Sequence, residues 1–493
     1  MNYYFRNGND IQPIVYLEFD FDVTIPNVAS ADLTFTFLNF SKKFPGKIDW
    51  NFQEYGKLWN YNLQYFNYLH QANLDNSLKE NWLKELSFWL QKGKLESEPY
   101  PISIRSMNVI RFCSKNQVGN EQIMEGVYAQ LKYLNQNLEY HVLGNHLLEN
   151  AFALMMGGYV FSEESWTKKS RKILCEELNE QILNDGGHFE LSPMYHQIIL
   201  FRVLELIDWY KRTSNPDRQF LSFVLLKAGQ MLGWLKNISF KNGDIPYFND
   251  SAPGIAFSSH LLFEYAKRLE LNAPVSLPFK ESGYRKFCYS KYECVIDVAA
   301  VGPRYQPGHG HADALSFILY YGGLPFLVEA GTSTYQIGEK RSYERSTQAH
   351  NTVVIGERNQ SEVWSGFRVG KRAKVILENE SQSSMVATHD GYVHNFGVLH
   401  KRYFNFDINS ISILDEIGDK NGKAFLHFHP DCEIEIISAN AINIAQFAEI
   451  TIEGANQLSF GKYEYADGFN QYRQADKLEI DFDKKLNTLI KFQ

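Results

Sequence analysis

The sequence predicts a multidomain α+β protein, helical through its first half and antiparallel β through its second. From about residue 50 to 270 the apolar residues recur at helical spacing in segment after segment, whereas from about Tyr289 they alternate in β-branched and aromatic runs. Size agrees: 493 residues, at roughly 150 per domain, leave room for two to four domains. A composition of 44% hydrophobic and 22% charged residues can bury a large core.

Residues 1–45 carry short alternating stretches, VYLEFDF and LTFTFLNF, and read as a short N-terminal β-rich segment. Helical periodicity then covers 52–70, 78–92, 121–137, 143–158, 163–184, 196–212, 217–236 and 257–269. Punctuation between these segments is short, as at Gly186-Gly187, Ser214-Asn215-Pro216 and Asn242-Gly243, so 46–270 reads as one domain of antiparallel helices. Residues 271–288, with Pro274, Pro278 and Gly283, read as a linker. The remainder, 289–493, contains CVIDVAAV, LSFILYY, LPFLVEAG, NTVVIG, SISILDEI and EIEIIS, a set that predicts stacked antiparallel sheets. Within it, Gly322-Gly323 joins two strands as a two-residue hairpin, because both glycines can take the positive φ of a primed turn.

Several function classes fall away. With 49 cationic and 57 anionic side chains the net charge is −8, without a long single-sign block, which argues against a general nucleic-acid binder. Five cysteines (Cys113, Cys175, Cys288, Cys294, Cys432) form no C-x-x-C pair, so neither a disulfide framework nor a cysteine zinc site is indicated. No apolar run is long enough to cross a bilayer, so no membrane insertion is expected. The amino terminus lacks a basic stretch followed by an apolar one, which gives a cytoplasmic expectation; a chain trimmed of its leader would read the same and belong in the periplasm or outside the cell.

Four clusters concentrate residues able to do chemistry. In Gly144-Asn145-His146-Leu147-Leu148-Glu149-Asn150, a helix start would make His146 and Glu149 neighbours at i,i+3, and a carboxylate there would fix the imidazole's tautomer. The bland alternative is an Asn cap followed by a core histidine. In Asp185-Gly186-Gly187-His188-Phe189-Glu190-Leu191-Ser192-Pro193-Met194-Tyr195-His196, a glycine turn and a Ser-Pro helix start present Tyr195 at the rim of a helical array, where packing is the bland reading. In Pro307-Gly308-His309-Gly310-His311-Ala312-Asp313, two histidines at i,i+2 share one face of an extended segment. Glu329 and His350 follow on neighbouring strands, so His311, Glu329 and His350 make an N/N/O set suited to zinc. Downstream, Lys340, Arg341, Arg345, Arg358, Arg368, Lys371 and Arg372 form a modest cationic cluster that fits an anionic ligand.

At these clusters the sequence resembles the heparinase II/III-like polysaccharide lyases, a group related to alginate lyases of the same fold. The matching stretches are GNHLLENAFALMMGG, DGGHFELSPMYH and the block from PGHGHADALSFILYYGG to SGFRVGKRA, with WNFQEYGKLWNYNLQYFNYLH and EPYPISIRSMNVIRF before them. The resemblance implies an incomplete (α/α) toroid followed by an antiparallel β-sandwich, and β-elimination of a uronic-acid polysaccharide. Carried over by position, Asn145 would neutralise the uronate carboxylate. Tyr195 would be the acid, and in one version also the base. His146 and His309 would transfer or position protons, with Glu149 supporting His146. His311, Glu329 and His350 match the family's metal triad, with a glutamate where an aspartate is expected. Arg105, in the EPYPISIRSMNVIRF stretch, and Arg345 are the candidate substrate-binding cations.

The chemistry calls for these residue types. Removing the C5 proton of a uronate piles a second negative charge onto its carboxylate, so an amide must stabilise the aci-carboxylate as it forms. One group must then take the C5 proton and another must protonate the departing O4. The metal, one divalent ion and by donor type zinc, is read as architectural; no organic cofactor is expected. The partner is an anionic polysaccharide or oligosaccharide, and homodimerisation is left open. Competing readings are a uronyl C5-epimerase, which shares the proton abstraction; a metal-dependent hydrolase, disfavoured because Ala314 stands where such sites place another histidine; and a non-catalytic glycan-binding protein, which would need neither acid nor base.

Overall fold

The computed structural model describes residues 14–271 and 277–493. Residues 1–13 of the expected N-terminal β-rich segment and 272–276 of the expected linker lie outside the described residues.

Helices form where the periodicity puts them: α1 (Lys57–Tyr65), α2 (Asn76–Gln91), α4 (Glu121–Gln136), α5 (Gly144–Val160), α6 (Glu164–Gln181), α7 (Pro193–Tyr210), α8 (Arg218–Ile238) and α9 (Ser259–Arg268). In the same part of the chain a further helix, α3 (Pro99–Asn116), has no counterpart in the periodicity reading. Its residues from Pro101 to Ser114 are all buried, so it has no polar stripe to reveal a 3.6-residue period. Upstream, β1 (Thr34–Phe37) and β2 (Phe40–Lys43) pair as a small antiparallel hairpin.

The chain divides into two compact units interleaved in sequence. The first takes the chain up to Gln181, Ile199–Gly229 and the stretch from Phe263; the second takes Ile182–Ile198, Gln230–Leu262 and the stretch to Gln493. In the first unit α5 packs against α3, α4 and α6. Its two late glycines allow the approach: a Cβ on Gly157 would sit 2.3 Å from Leu131, and one on Gly158 2.6 Å from Thr167. A buried ion chain crosses this unit, Arg111 to Glu205 (2.7 Å), Glu205 to Arg202 (2.8 Å) and Arg202 to Glu149 (2.9 Å). Each charge in it has an opposite partner, which burial demands.

The second unit contains the sandwich. Four strands, β3 (Tyr284–Cys288), β4 (Tyr292–Asp297), β5 (Phe317–Tyr321) and β6 (Leu324–Leu327), form one antiparallel sheet in that order. Gly322 and Gly323 turn β5 into β6 with φ of 59° and 83°, the positive values the hairpin requires. Short strands β7 (Val353–Ile355), β8 (Val363–Trp364) and β9 (Arg368–Val369) follow. A larger sheet then runs in the order β10 (Val375–Glu380), β11 (Ser384–His389), β12 (His400–Asp407), β13 (Ser410–His427), β17 (Gln471–Phe492), β16 (Ala448–Gly468), β15 (Ala441–Ile444) and β14 (Ile434–Ser438). Inner faces of the two sheets share one core, in which Phe287, Ile296, Phe317 and Leu319 meet Phe404, Ile413, Leu426 and Ile480. The Phe287 and Phe406 rings stack at 4.0 Å.

A polar chain is sealed beside this core. Gly391 N–H donates to His389 Nδ1 (3.1 Å), so His389 Nε2–H donates to His400 Nδ1 (3.0 Å), and His400 Nε2–H donates to Asp415 (2.6 Å). Arg402 completes it by gripping Asp415 and the carbonyls of Leu315 and Asn351. Every hydrogen is assigned when both imidazoles are neutral. Burial, followed by the charge that His400 would carry, holds His389 well below its ordinary 6.5. As pH falls below that value, the unfolded chain binds a proton that native His389 refuses, and stability is lost. A His389→Leu variant is therefore expected to lose melting temperature less steeply than the parent between about pH 6.5 and 5, measured by thermal unfolding. Parallel slopes would contradict the neutral assignment.

Candidate active site

In the second unit the Asp-Gly-Gly loop is built by backbone constraint. Gly186 adopts φ of 91°, and a Cβ there would lie 2.2 Å from the carbonyl oxygen of Gln230. Asp185 ties the loop down by accepting from Gly187 N (3.2 Å), Ser282 N (2.9 Å) and Ser282 Oγ (2.8 Å). The chain then enters α7, where Ser192 Oγ accepts from Tyr195 N (3.2 Å) and donates to the Asp250 carbonyl (2.8 Å). This cap and Pro193 at the helix start fix Tyr195 in the first turn.

Tyr195 lies against His309, ring centroids 4.0 Å apart and planes within 30°. Its hydroxyl is 3.3 Å from that of Tyr335. Burial, with Tyr335, Asp250 and Glu190 nearby, raises the Tyr195 phenol well above 10, so it carries its proton at neutral pH. His309 donates Nδ1–H to Asp250 Oδ2 (2.9 Å), so that in the neutral imidazole the lone pair is on Nε2, 4.0 Å from Glu190 Oε2. His196, the next residue after Tyr195, is a core imidazole bonded to the Met231 carbonyl at 3.0 Å.

Asp250 is the residue that sequence reasoning missed. Fully buried, it accepts from His309, from His311 Nε2 (2.9 Å) and from both terminal nitrogens of Arg341 (2.5 and 2.8 Å). Burial pushes its carboxyl upward, but Arg341 and the two imidazoles outweigh that and hold it well below the usual carboxylate range. The backbone is matched as well: Asp250 N donates to the His309 carbonyl (3.1 Å) and His311 N to Asn249 Oδ1 (2.9 Å). Tyr335 was missed too.

The expected N/N/O triad is not assembled. Glu329 is turned onto His350 Nδ1 and accepts from Ser316 Oγ with its other oxygen, while His311 is committed to Asp250. Among the described residues no three His, Cys, Asp or Glu side chains converge as a metal cluster. His311 and His350 nevertheless lie with ring centroids 5.4 Å apart, and each keeps a buried nitrogen, Nδ1 and Nε2 respectively, without a hydrogen-bond partner. Those two orphaned nitrogens fit a divalent cation; Glu329 as placed orients His350 rather than joining them.

In the first unit, Leu143 and Gly144 take positive φ (61° and 56°) and swing the chain into α5, whose first turn holds Asn145 and His146. Asn145 is buried. His146, its side chain one-third exposed, bonds through Nδ1 to Glu139 Oε1 at 3.0 Å and lies 4.2 Å from the Tyr100 ring. Its supporting carboxylate is thus Glu139, which Asn150 also holds (2.9 Å), and not Glu149. Glu149 points into the core and accepts from Arg202. The substrate-contact expectation for Arg105 and Arg345 also gives way. Both are buried: Arg105 donates to Gln130 (2.6 Å) and the Gln64 carbonyl (3.0 Å), and Arg345 to the carbonyls of Gly310, Trp364 and Gly366.

Comparison with known proteins supplies the remaining context. Residues 33–270 match the family described as heparinase II/III N-terminus, and 273–493 match heparinase II/III-like, C-terminal. A heparin-sulfate lyase of Bacteroides stercoris is 26% identical over 347 residues, covering 63% of this chain and 49% of that protein. The chain spans about half the length of the curated relatives it matches. Among solved structures, a heparinase III superposes with a TM-score of 0.67 at 18% identity, covering 92% of this chain and 80% of that one. The heparan sulfate lyase HepC of Pedobacter heparinus gives 0.62 at 17% identity, covering 94% and 81%. These likenesses carry the fold: a helical toroid followed by an antiparallel β-sandwich.

Proposed function

The chain belongs to the heparinase II/III-like family, and from that premise we propose that it is a polysaccharide lyase that cleaves a uronate-containing glycan of the heparan sulfate class by β-elimination. The observation that carries this reading is the protonated Tyr195 phenol stacked on an imidazole whose tautomer Asp250 fixes. His309 Nε2 takes the proton from C5 of the uronate. The electron pair left behind forms the C4=C5 double bond, the C4–O4 bond breaks, and Tyr195 gives its proton to O4. Exchange with solvent then takes the proton from the imidazolium and returns one to the phenolate, which resets both groups. Asn145 would hydrogen-bond the substrate carboxylate as its charge builds, with His146, oriented by Glu139, beside it in the sequence. The names of the relatives, heparin-sulfate lyases, support the substrate class.

The same proposal includes one divalent cation, zinc by donor type, held by His311 Nδ1 and His350 Nε2, with Glu329 keeping His350 turned toward it. When bound it would cross-link the loop that bears His309 to the strand region that bears His350.

Purified protein is expected to release unsaturated uronate from heparan sulfate or unsulfated heparosan, read as ultraviolet absorbance of the new double bond. Tyr195→Phe and His309→Ala are each expected to cut kcat by about 10²–10⁴-fold. Absence of that product from every uronan tried would refute the lyase reading, and full activity in both variants would refute the roles. For the metal, elemental analysis is expected to find about one zinc per chain, with a lower melting temperature after chelation. Metal-free protein whose melting is unmoved by added zinc or chelator would contradict it.

A further inference from the structure

The hairpin of β8 and β9 has two residues per strand, too few to hold itself in place. Its tip is nevertheless pinned from beneath. Arg341 Nε and Nη2 donate to the Gly366 carbonyl (3.0 and 2.9 Å), and Arg345 Nη1 donates to the carbonyls of Trp364 and Gly366 (both 3.3 Å). Both guanidinium groups are buried, and Arg341 is the one that pairs with Asp250. One cation therefore fixes the carboxylate behind His309 and the tip of this hairpin together.

What the pinned tip displays is aromatic and cationic. Trp364 is 50% and Phe367 44% exposed. Arg368, the register partner of Trp364, is exposed and has no carboxylate partner among the described residues. The Phe367 ring stands edge-on to His309 at 5.9 Å and lies 5.2 Å from Tyr335, so this surface continues directly from the Tyr195–His309 stack. Exposed aromatics on a rigid mount lose little entropy on binding. Their faces suit the C–H side of a pyranose, and a free guanidinium suits a carboxylate or sulfate.

We propose that Trp364, Phe367 and Arg368 form a subsite for one anionic pyranose of the chain being cleaved, next to the sugar held at His309. The inference rests on the lyase reading for the identity of its ligand, and its test separates the two. Full-length protein carrying Tyr195→Phe, to suppress turnover, is titrated calorimetrically with a heparan sulfate hexasaccharide. Trp364→Ala with Phe367→Ala is expected to weaken binding about tenfold. Arg368→Ala is expected to weaken it less and to flatten its dependence on salt. In the active parent the aromatic pair is expected to raise KM by the same factor with kcat nearly kept. Undiminished affinity in these variants, or no binding by the Tyr195→Phe protein, overturns the subsite. If the hairpin variants lose affinity while the parent yields no unsaturated product, the subsite stands and the lyase chemistry falls.

Discussion

One buried carboxylate organises the chemistry of the second unit. Asp250 has no access to water and is ionised because Arg341 and two imidazoles surround it with donors. Each donor is thereby oriented: His309 with Nε2 free, His311 with Nδ1 free, Arg341 with its remaining hydrogens aimed at Gly366. Removing a single partner would strand charge in the interior, which is why such a cluster holds its geometry well.

Around that anchor the local sequence does positional work. Ser192 caps α7 and binds the Asp250 carbonyl with the same hydroxyl, so the helix that presents Tyr195 and the loop that presents Asp250 are set by one atom. Asn249 and Asp250 in turn receive the backbone of His309 and His311. The two histidines differ in role through partner and exposure: His309 retains some access to solvent, while His311 is sealed and burial pushes it down to about 3.

Much of this was legible before any coordinates. The β5–β6 hairpin could be read because Gly322-Gly323 is local chemistry, whereas glycines and a Ser-Pro start only drew attention to Tyr195 and His309, whose roles came from the family resemblance. Helix α3 was not, since a segment buried all round carries no period. Asp250 was invisible for a different reason: it stands 59 residues from His309 in a short polar run, Asn249-Asp250-Ser251, that marks any turn. Glu149 misled because i,i+3 spacing says that two side chains are neighbours and not which way each turns; the i,i−7 partner Glu139 lies across the loop that starts α5. Arg105 and Arg345 misled because a cation in a familiar stretch reads the same whether it meets ligand or holds up carbonyls.

The central claim is that Asp250 fixes His309 as the Nδ1–H tautomer, leaving Nε2 to act as base. Long-range proton–nitrogen correlation spectra of protein labelled with ¹⁵N-histidine, recorded at alkaline pH and assigned with His309→Ala, measure this directly. The account predicts an Nδ1–H tautomer for His309 that is lost or mixed in Asp250→Asn. An Nε2–H tautomer in the parent protein would contradict it.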